Sequence, residues 1–187
     1  MTTHTDNALM LQVKAGDLDK MGLLFERYHR PLYGFLFHMT KQKEPSEDMV
    51  QVVFFKMLKY SQTFTGSGEF KTWMYHVARN VLNDHYRKSK RTPVYYDISG
   101  MEESISGGQF ANERIEKKQE LKMLSAAMDK LSAENRELLV LCRFQELKYH
   151  EIAKVLNTTE GAVKVRVHRA LNQLKITYLQ LHSKELI

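Results

Sequence analysis

The 187 residues carry 28 Lys and Arg against 22 Asp and Glu, a net charge of +6, with 43% apolar side chains, 9 Gly and only 3 Pro. That composition belongs to a folded chain rather than a disordered one, and the length allows one domain or two small ones, at roughly 100–200 residues each. A single cysteine, Cys142, excludes an internal disulfide framework and a cysteine-based zinc cluster. Apolar runs such as 138–142 fall far short of the about 20 residues that a membrane-spanning helix needs. The opening MTTHTDNALM lacks the basic-then-apolar pattern of a secretory signal. The expectation is a cytoplasmic protein without stable membrane insertion, whose mild basic excess suits a polyanion.

The charge is unevenly spread. Residues 1–91 are net +5, residues 92–118 net −2 and residues 119–187 net +3. The first block holds a helical pattern: Met21, Leu24, Phe25, Tyr28, Leu32, Phe35, Leu36 and Met39 recur at three- and four-residue spacing. Asp17 suits its N-cap, and Pro31 inside it predicts a kink. Ser46 is the expected N-cap of a second helix, whose inward stripe is Met49, Val50, Val53, Phe54, Met57 and Leu58. Two glycines in TFTGSGEF, residues 63–70, interrupt the period. A third helix then buries Phe70, Trp73, Met74, Val77, Ala78, Val81 and Leu82.

The opposite face of that third helix presents His76, Arg79, Asn80, Asn83 and Arg87, and the helix ends in RKSKR, residues 87–91. Amides and arginines on one face suit hydrogen bonds to base edges and phosphates. The same residues also fit a solvated face with cations favoured at a helix C-terminus. Trp73 reads as core packing more readily than as a base-stacking ring. Phe64 suits either a loop contact or packing.

Residues 92–112, TPVYYDISGMEESISGGQFAN, hold three glycines and no sustained helical period, which predicts a linker. Its reach is roughly 25 Å as a random coil and roughly 70 Å at full stretch. Beyond it, Leu121, Leu124, Met128 and Leu131 mark one amphipathic helix, and Ser132 caps another that turns Leu138, Leu139 and Cys142 inward. A lone cysteine in such a stripe reads as a small core hydrophobe.

Residues 149–175, YHEIAKVLNTTEGAVKVRVHRALNQLK, read as helix, tight turn, helix. Asn157 sits where the turn needs a positive φ, and Thr159 caps the second helix. Val163, Val167, Ala170, Leu171 and Leu174 face inward. Lys164, Val165, Arg166, His168, Arg169, Asn172 and Gln173 face out. A helix of about 14 residues, about 21 Å long, fits the major groove. Free amides near Thr159 and Glu160 can hold a phosphate. This is a helix-turn-helix with a basic recognition helix. An αα-hairpin in an unrelated helical protein is the alternative.

Taken together, about residues 18–91 and 119–180 resemble an extracytoplasmic function (ECF) sigma factor of bacterial RNA polymerase. EDMVQVVFFKML, residues 47–58, is similar to the family's core-binding segment. FKTWMYHVARNVLNDHYRK, residues 70–88, is similar to the segment that recognises and melts the −10 element. LKYHEIAKVLNTTEGAVKVRVHRAL, residues 147–171, is similar to the helix-turn-helix that reads the −35 element. The resemblance implies an all-α chain of two small domains: 1–91 (sigma region 2), a flexible linker 92–118, and 119–187 (sigma region 4). It implies a transcription initiation factor, not an enzyme, with no cofactor and no metal. Its implied partners are core RNA polymerase, double-stranded −35 and single-stranded −10 promoter DNA, and an anti-sigma factor.

Roles follow residue by residue from the resemblance. Asp48, Gln51 and Phe54 would dock on a coiled coil of the polymerase's largest subunit. Phe64, Thr65, Gly66, Ser67, Gly68 and Glu69 would hold a flipped non-template base. His76, Asn80 and Asn83 would contact the −10 strand, with Arg79, Arg87, Lys88, Lys90 and Arg91 near phosphates. Thr159, Glu160, Lys164, Val165, Arg166, His168 and Arg169 would serve the −35 element. The chain also departs from the family. Val52 stands where Glu is frequent, Lys148 where a Ser caps, Asn157 for a turn Gly, Thr158 for an apolar residue, and Val165 for a Ser. A Val can touch a thymine methyl but cannot hydrogen-bond, so promoter sequence does not transfer from relatives. A stand-alone helix-turn-helix regulator would leave the first block unexplained. A metal- or nucleotide-dependent enzyme finds no H-E-x-x-H, P-loop or G-x-G-x-x-G pattern.

Overall fold

In the computed structural model, which describes residues 5–89 and 111–185, every regular element is helical. The eight α-helices among the described residues are α1 (Asp6–Lys14), α2 (Lys20–Thr40), α3 (Lys43–Lys59), α4 (Phe70–Ser89), α5 (Ala111–Asp129), α6 (Ala133–Leu139), α7 (Tyr149–Leu156) and α8 (Glu160–Glu185). A 3₁₀ turn (Ser61–Thr63) follows α3, and a π-helical turn (Val140–Phe144) continues α6.

Helix α1 has no counterpart in the sequence reading. The Thr5 hydroxyl caps it by accepting from the Ala8 amide at 3.2 Å, and Leu9, Met10 and Val13 are buried against α2 and α4. Helix α2 starts at Lys20, after Asp19 rather than Asp17, and runs through Pro31 without a break. The expected Ser46 cap is corrected: α3 begins at Lys43, after the left-handed Lys41 (φ 58°) turns the chain. Ser46 is buried inside α3, and its hydroxyl donates to the Gln42 carbonyl at 2.6 Å. Most of the α2, α3 and α4 stripes are buried as the periodicity requires. Phe25 and Leu58 are the exceptions, at 42% and 36% exposure. Trp73 is half-buried and packs on Phe64 and Phe70.

The second half is built on α8, which packs against α5, α6 and α7. At 26 residues, about 39 Å, α8 is nearly twice the expected length. Helix α5 begins at Ala111, inside the stretch read as linker; the rest of that stretch, like Lys90 and Arg91, lies outside the described residues. Leu121 is 67% exposed rather than inward. Asn157 takes the left-handed conformation (φ 53°) between α7 and α8, and the Thr159 hydroxyl accepts from the Ala162 amide at 3.2 Å.

The two halves touch. Helix α4 lies against α7, while α2 meets α6 and the π-turn. The fully buried Tyr75 donates its hydroxyl to Gln145 Oε1, Thr72 donates to Glu151 Oε1 at 3.3 Å, and Lys71 donates to the Gln145 carbonyl. The buried polar residues of the described chain are Ser46, Thr72, Glu137, Gln145 and Glu151. All but Ser46 sit at this contact, where each polar atom removed from water must find a protein partner.

Candidate nucleic-acid interface

Along α4 the inward stripe leaves one outward row. His76, Asn80, Asn83 and Arg87 are exposed and share a side of the helix, as the sequence requires, and Lys88 is exposed beside them near its end. Arg79 is different. Its Nε donates to Glu137 Oε1 of α6 at 2.9 Å, so this expected phosphate contact is engaged in an ion pair between the halves. Burial pushes the Glu137 carboxyl above the usual carboxylate range, and the Arg79 guanidinium opposes that rise. Near the end of α4, Asp84 accepts from Lys56 of α3 at 2.9 Å and from Arg87 at 3.1 Å. The hydrogen bond and charge of Lys56, with Arg87 adding, hold Asp84 below the ordinary carboxylate range.

The loop before α4 was expected to offer Phe64 to DNA. That is corrected: Phe64 is 2% exposed and packs edge-on against Phe70 and beside Trp73. An aromatic ring in a short loop over an apolar helix start gains more by filling the core than by standing in water. The exposed loop side chains are Thr65, Ser67 and Glu69, with the Thr65 and Ser67 hydroxyls 2.7 Å apart. Gly66 takes φ +74°, a conformation that glycine adopts without strain.

On α3, Asp48 and Gln51 are exposed, but Phe54 is 6% exposed and packs on Phe25 at 4.9 Å between ring centroids. Its expected surface role is likewise corrected. The inward stripe of α3 already takes the adjacent Val53 and Phe54, and the next residue, Phe55, stands 64% exposed beside Val52 at 42%. Two large apolar side chains next to Asp48 and Gln51 form the kind of surface a protein partner covers. The sequence reading singles out Val52 as a departure from the family but misses Phe55, for which the Phe-Phe pair was the available signal.

The recognition helix matches its sequence reading closely. Val163, Val167 and Ala170 are buried, and Lys164, Val165, His168 and Arg169 are exposed on the other side of α8. Arg166 is only half-exposed and lies 3.8 Å from Glu134 of α6. Thr159 and Glu160 are exposed at the start of α8, next to its free amides. Two polar, cation-bearing helix faces thus sit on two helical halves of one chain.

The Sigma-70 region 2 family profile matches residues 24–92, and that of Sigma-70, region 4 matches residues 121–174. The chain is 31% identical over 168 residues to the ECF RNA polymerase sigma factor SigX of Bacillus subtilis, covering 88% of this chain and 86% of SigX. The chain belongs to the ECF sigma factors. It is also 28% identical over 173 residues to SigW of the same organism, covering 88% of this chain and 91% of SigW. Among solved structures, CnrH in complex with the cytosolic domain of CnrY aligns with a TM-score of 0.69 at 22% identity, covering 91% of this chain and 95% of that one. RpoE of Bartonella quintana, in complex with the anti-sigma factor NepR, aligns at 0.68 and 22% identity, covering 83% and 94%. Both share the fold. This sigma factor is therefore a non-enzymatic initiation factor: it binds core RNA polymerase, recognises promoter −35 and −10 elements and promotes melting. None of its described helices is long and apolar enough to cross a membrane.

Proposed function

We propose that residues 1–91 act as the region 2 domain, 92–118 as the connection and 119–187 as the region 4 domain of a cytoplasmic initiation factor. The exposed face of α3 (Asp48 and Gln51, widened by Val52 and Phe55) docks on core polymerase, and Phe54 supports it from beneath. Thr65, Gly66, Ser67 and Gly68 hold a flipped non-template base. His76, Asn80 and Asn83 read the −10 strand while Arg79, Arg87 and Lys88 meet phosphates. Lys164, Val165, His168 and Arg169 reach −35 base edges, and Arg166 with the amides after Thr159 and Glu160 takes the adjoining phosphate.

The single observation that supports this division of labour is the pair of outward polar faces on α4 and α8. Capturing one base offsets an unstacking cost of a few kcal/mol, which is how a sequence-reading helix becomes a melting device. Because the structural relatives above are complexes with CnrY and with the anti-sigma factor NepR, the proposal includes an anti-sigma partner. The test is run-off transcription with core polymerase on a genomic library, with 5′ ends mapped. Discrete starts preceded by a shared pair of elements are expected, and His168→Ala should relax the upstream one. Tight duplex binding by a dimer without polymerase would instead favour a stand-alone regulator.

A further inference from the structure

Helix α1 grips the loop between the 3₁₀ turn and α4 at three points. At the loop's end, one side chain makes two bonds: Asn7 Nδ2 donates to the Gly68 carbonyl at 2.9 Å, and the Phe70 amide donates to Asn7 Oδ1 at 2.7 Å. At its start, Lys14 Nζ donates to the Phe64 carbonyl at 2.8 Å, and Gln62 Nε2 donates to the Lys14 carbonyl at 3.1 Å. In the middle, Leu11 lies so close to Gly66 that an added Cβ would stand 3.3 Å from its methyl carbons. Within the loop, Asn7 and Lys14 hold backbone and Leu11 lies on the inner side, and Thr65, Ser67 and Glu69 are left facing solvent.

A loop of glycine and serine left to itself samples many shapes, and a binding site built on it loses affinity to that ordering cost. We propose that Asn7 is the positioning residue of the base-holding loop, with Lys14 as its second anchor: α1 sets the loop's shape before DNA arrives. The amide is suited to this because it supplies one donor and one acceptor from a planar group, and here it satisfies a loop carbonyl and the first amide of α4 at once. Neither residue touches DNA. The inference rests on the reading of residues 64–69 as the base-holding loop.

The test uses holoenzyme assembled from core polymerase and the full chain, selecting from a randomised single-stranded 12-nucleotide pool. The double variant Thr65→Ala, Ser67→Ala first identifies the position that the loop reads. Asn7→Ala is expected to flatten preference at that one position and to lower pool affinity about tenfold, leaving positions read by α4 and the affinity for core polymerase unchanged. Asn7→Asp keeps the acceptor for the Phe70 amide and loses the donor to Gly68, so it should flatten the same position with less loss of affinity. Lys14→Met gives a second reading should Asn7→Ala fail to fold. If the loop double variant changes no position, the base-holding reading fails and the proposal falls with it. If it changes one and neither Asn7→Ala nor Lys14→Met does, the proposal alone is overturned. An equal loss at all positions together with core affinity would mark Asn7 as merely structural and overturn it as well.

Discussion

His38 sits in the contact between the halves, its ring 4.5 Å from that of Phe144, beside a cavity of about 340 Å³ that Tyr28, Lys71, Gln145 and Glu146 also line. Burial lowers its pKa from the ordinary imidazole value; the Lys41 charge lowers it further, Asp129 opposes and Arg136 adds. The native state therefore prefers the neutral ring. Stability from this residue is fully present above the unfolded pKa of about 6.5 and is lost as pH falls through that value toward the depressed one. Wild type should lose more thermal stability than His38→Gln between pH 7.5 and 5.5, measured as the difference in Tm. Glu137, raised by burial, pulls the other way, but it is common to both proteins and cancels in that difference. The same contact explains what single residues hid in the sequence. Thr72, Gln145 and Glu151 are polar types at helical or turn positions, outside every apolar stripe. Their partners across the contact stand 70 or more residues away, beyond the reach of any local pattern, although Glu151 also accepts from the Lys148 amide at 2.7 Å. Tyr75 falls off the apolar stripe because it faces Phe35 and Gln145 on a second buried side of α4.

Elements were legible in proportion to their periodicity. Helices α2, α3 and α4 each carry several turns of repeated apolar spacing, and α7 with α8 adds turn chemistry that names its own φ. Helix α1 has nine residues and three buried side chains, too few repeats to stand out. The π-turn left no pattern at all, since its widened turn shifts every later position. Where the turn chemistry was legible it is also testable. Thr159→Ala removes the acceptor for the Ala162 amide and should cost about 1 kcal/mol of stability. Asn157→Ala keeps the Cβ at φ 53° but removes the short polar side chain that lets asparagine tolerate the left-handed region, and should cost on the order of 1 kcal/mol. Urea denaturation of both variants gives these values. Asn157→Gly should instead be neutral or stabilising, because glycine takes that conformation freely. A larger loss for Asn157→Gly than for Asn157→Ala would mean that the side chain, not the φ angle, matters at this turn.

At the scale of the whole molecule, the charge of +6 is the balance of +5 and +3 on two blocks and −2 between them, and α6 helps to join the halves through one of its two glutamates. Glu137 and Glu134 lie one turn apart on α6 and face Arg79 of α4 and Arg166 of α8 at 2.9 and 3.8 Å. Side chains three residues apart on a helix have Cβ atoms about 5–6 Å apart, so the two guanidinium groups lie within roughly 20 Å of each other. The −35 and −10 elements are about 25 base pairs apart by name, about 85 Å of duplex at ~3.4 Å per pair. The closed arrangement cannot meet both, so the halves must part on the promoter, and parting releases Arg79 from Glu137, while Arg166 and Glu134 both belong to the second half and stay together. Breaking the contact in advance should shift the free chain toward the open form. Glu137→Ala leaves Arg79 without its partner, and Tyr75→Phe leaves the buried Gln145 oxygen unsatisfied at a cost of about 1–3 kcal/mol. Small-angle scattering of the double variant should give a larger radius of gyration than wild type. Its affinity for core polymerase should be equal or tighter, because closure no longer competes with assembly. An unchanged radius with normal folding would mean that the apolar packing of α4 on α7 is enough to keep the halves together.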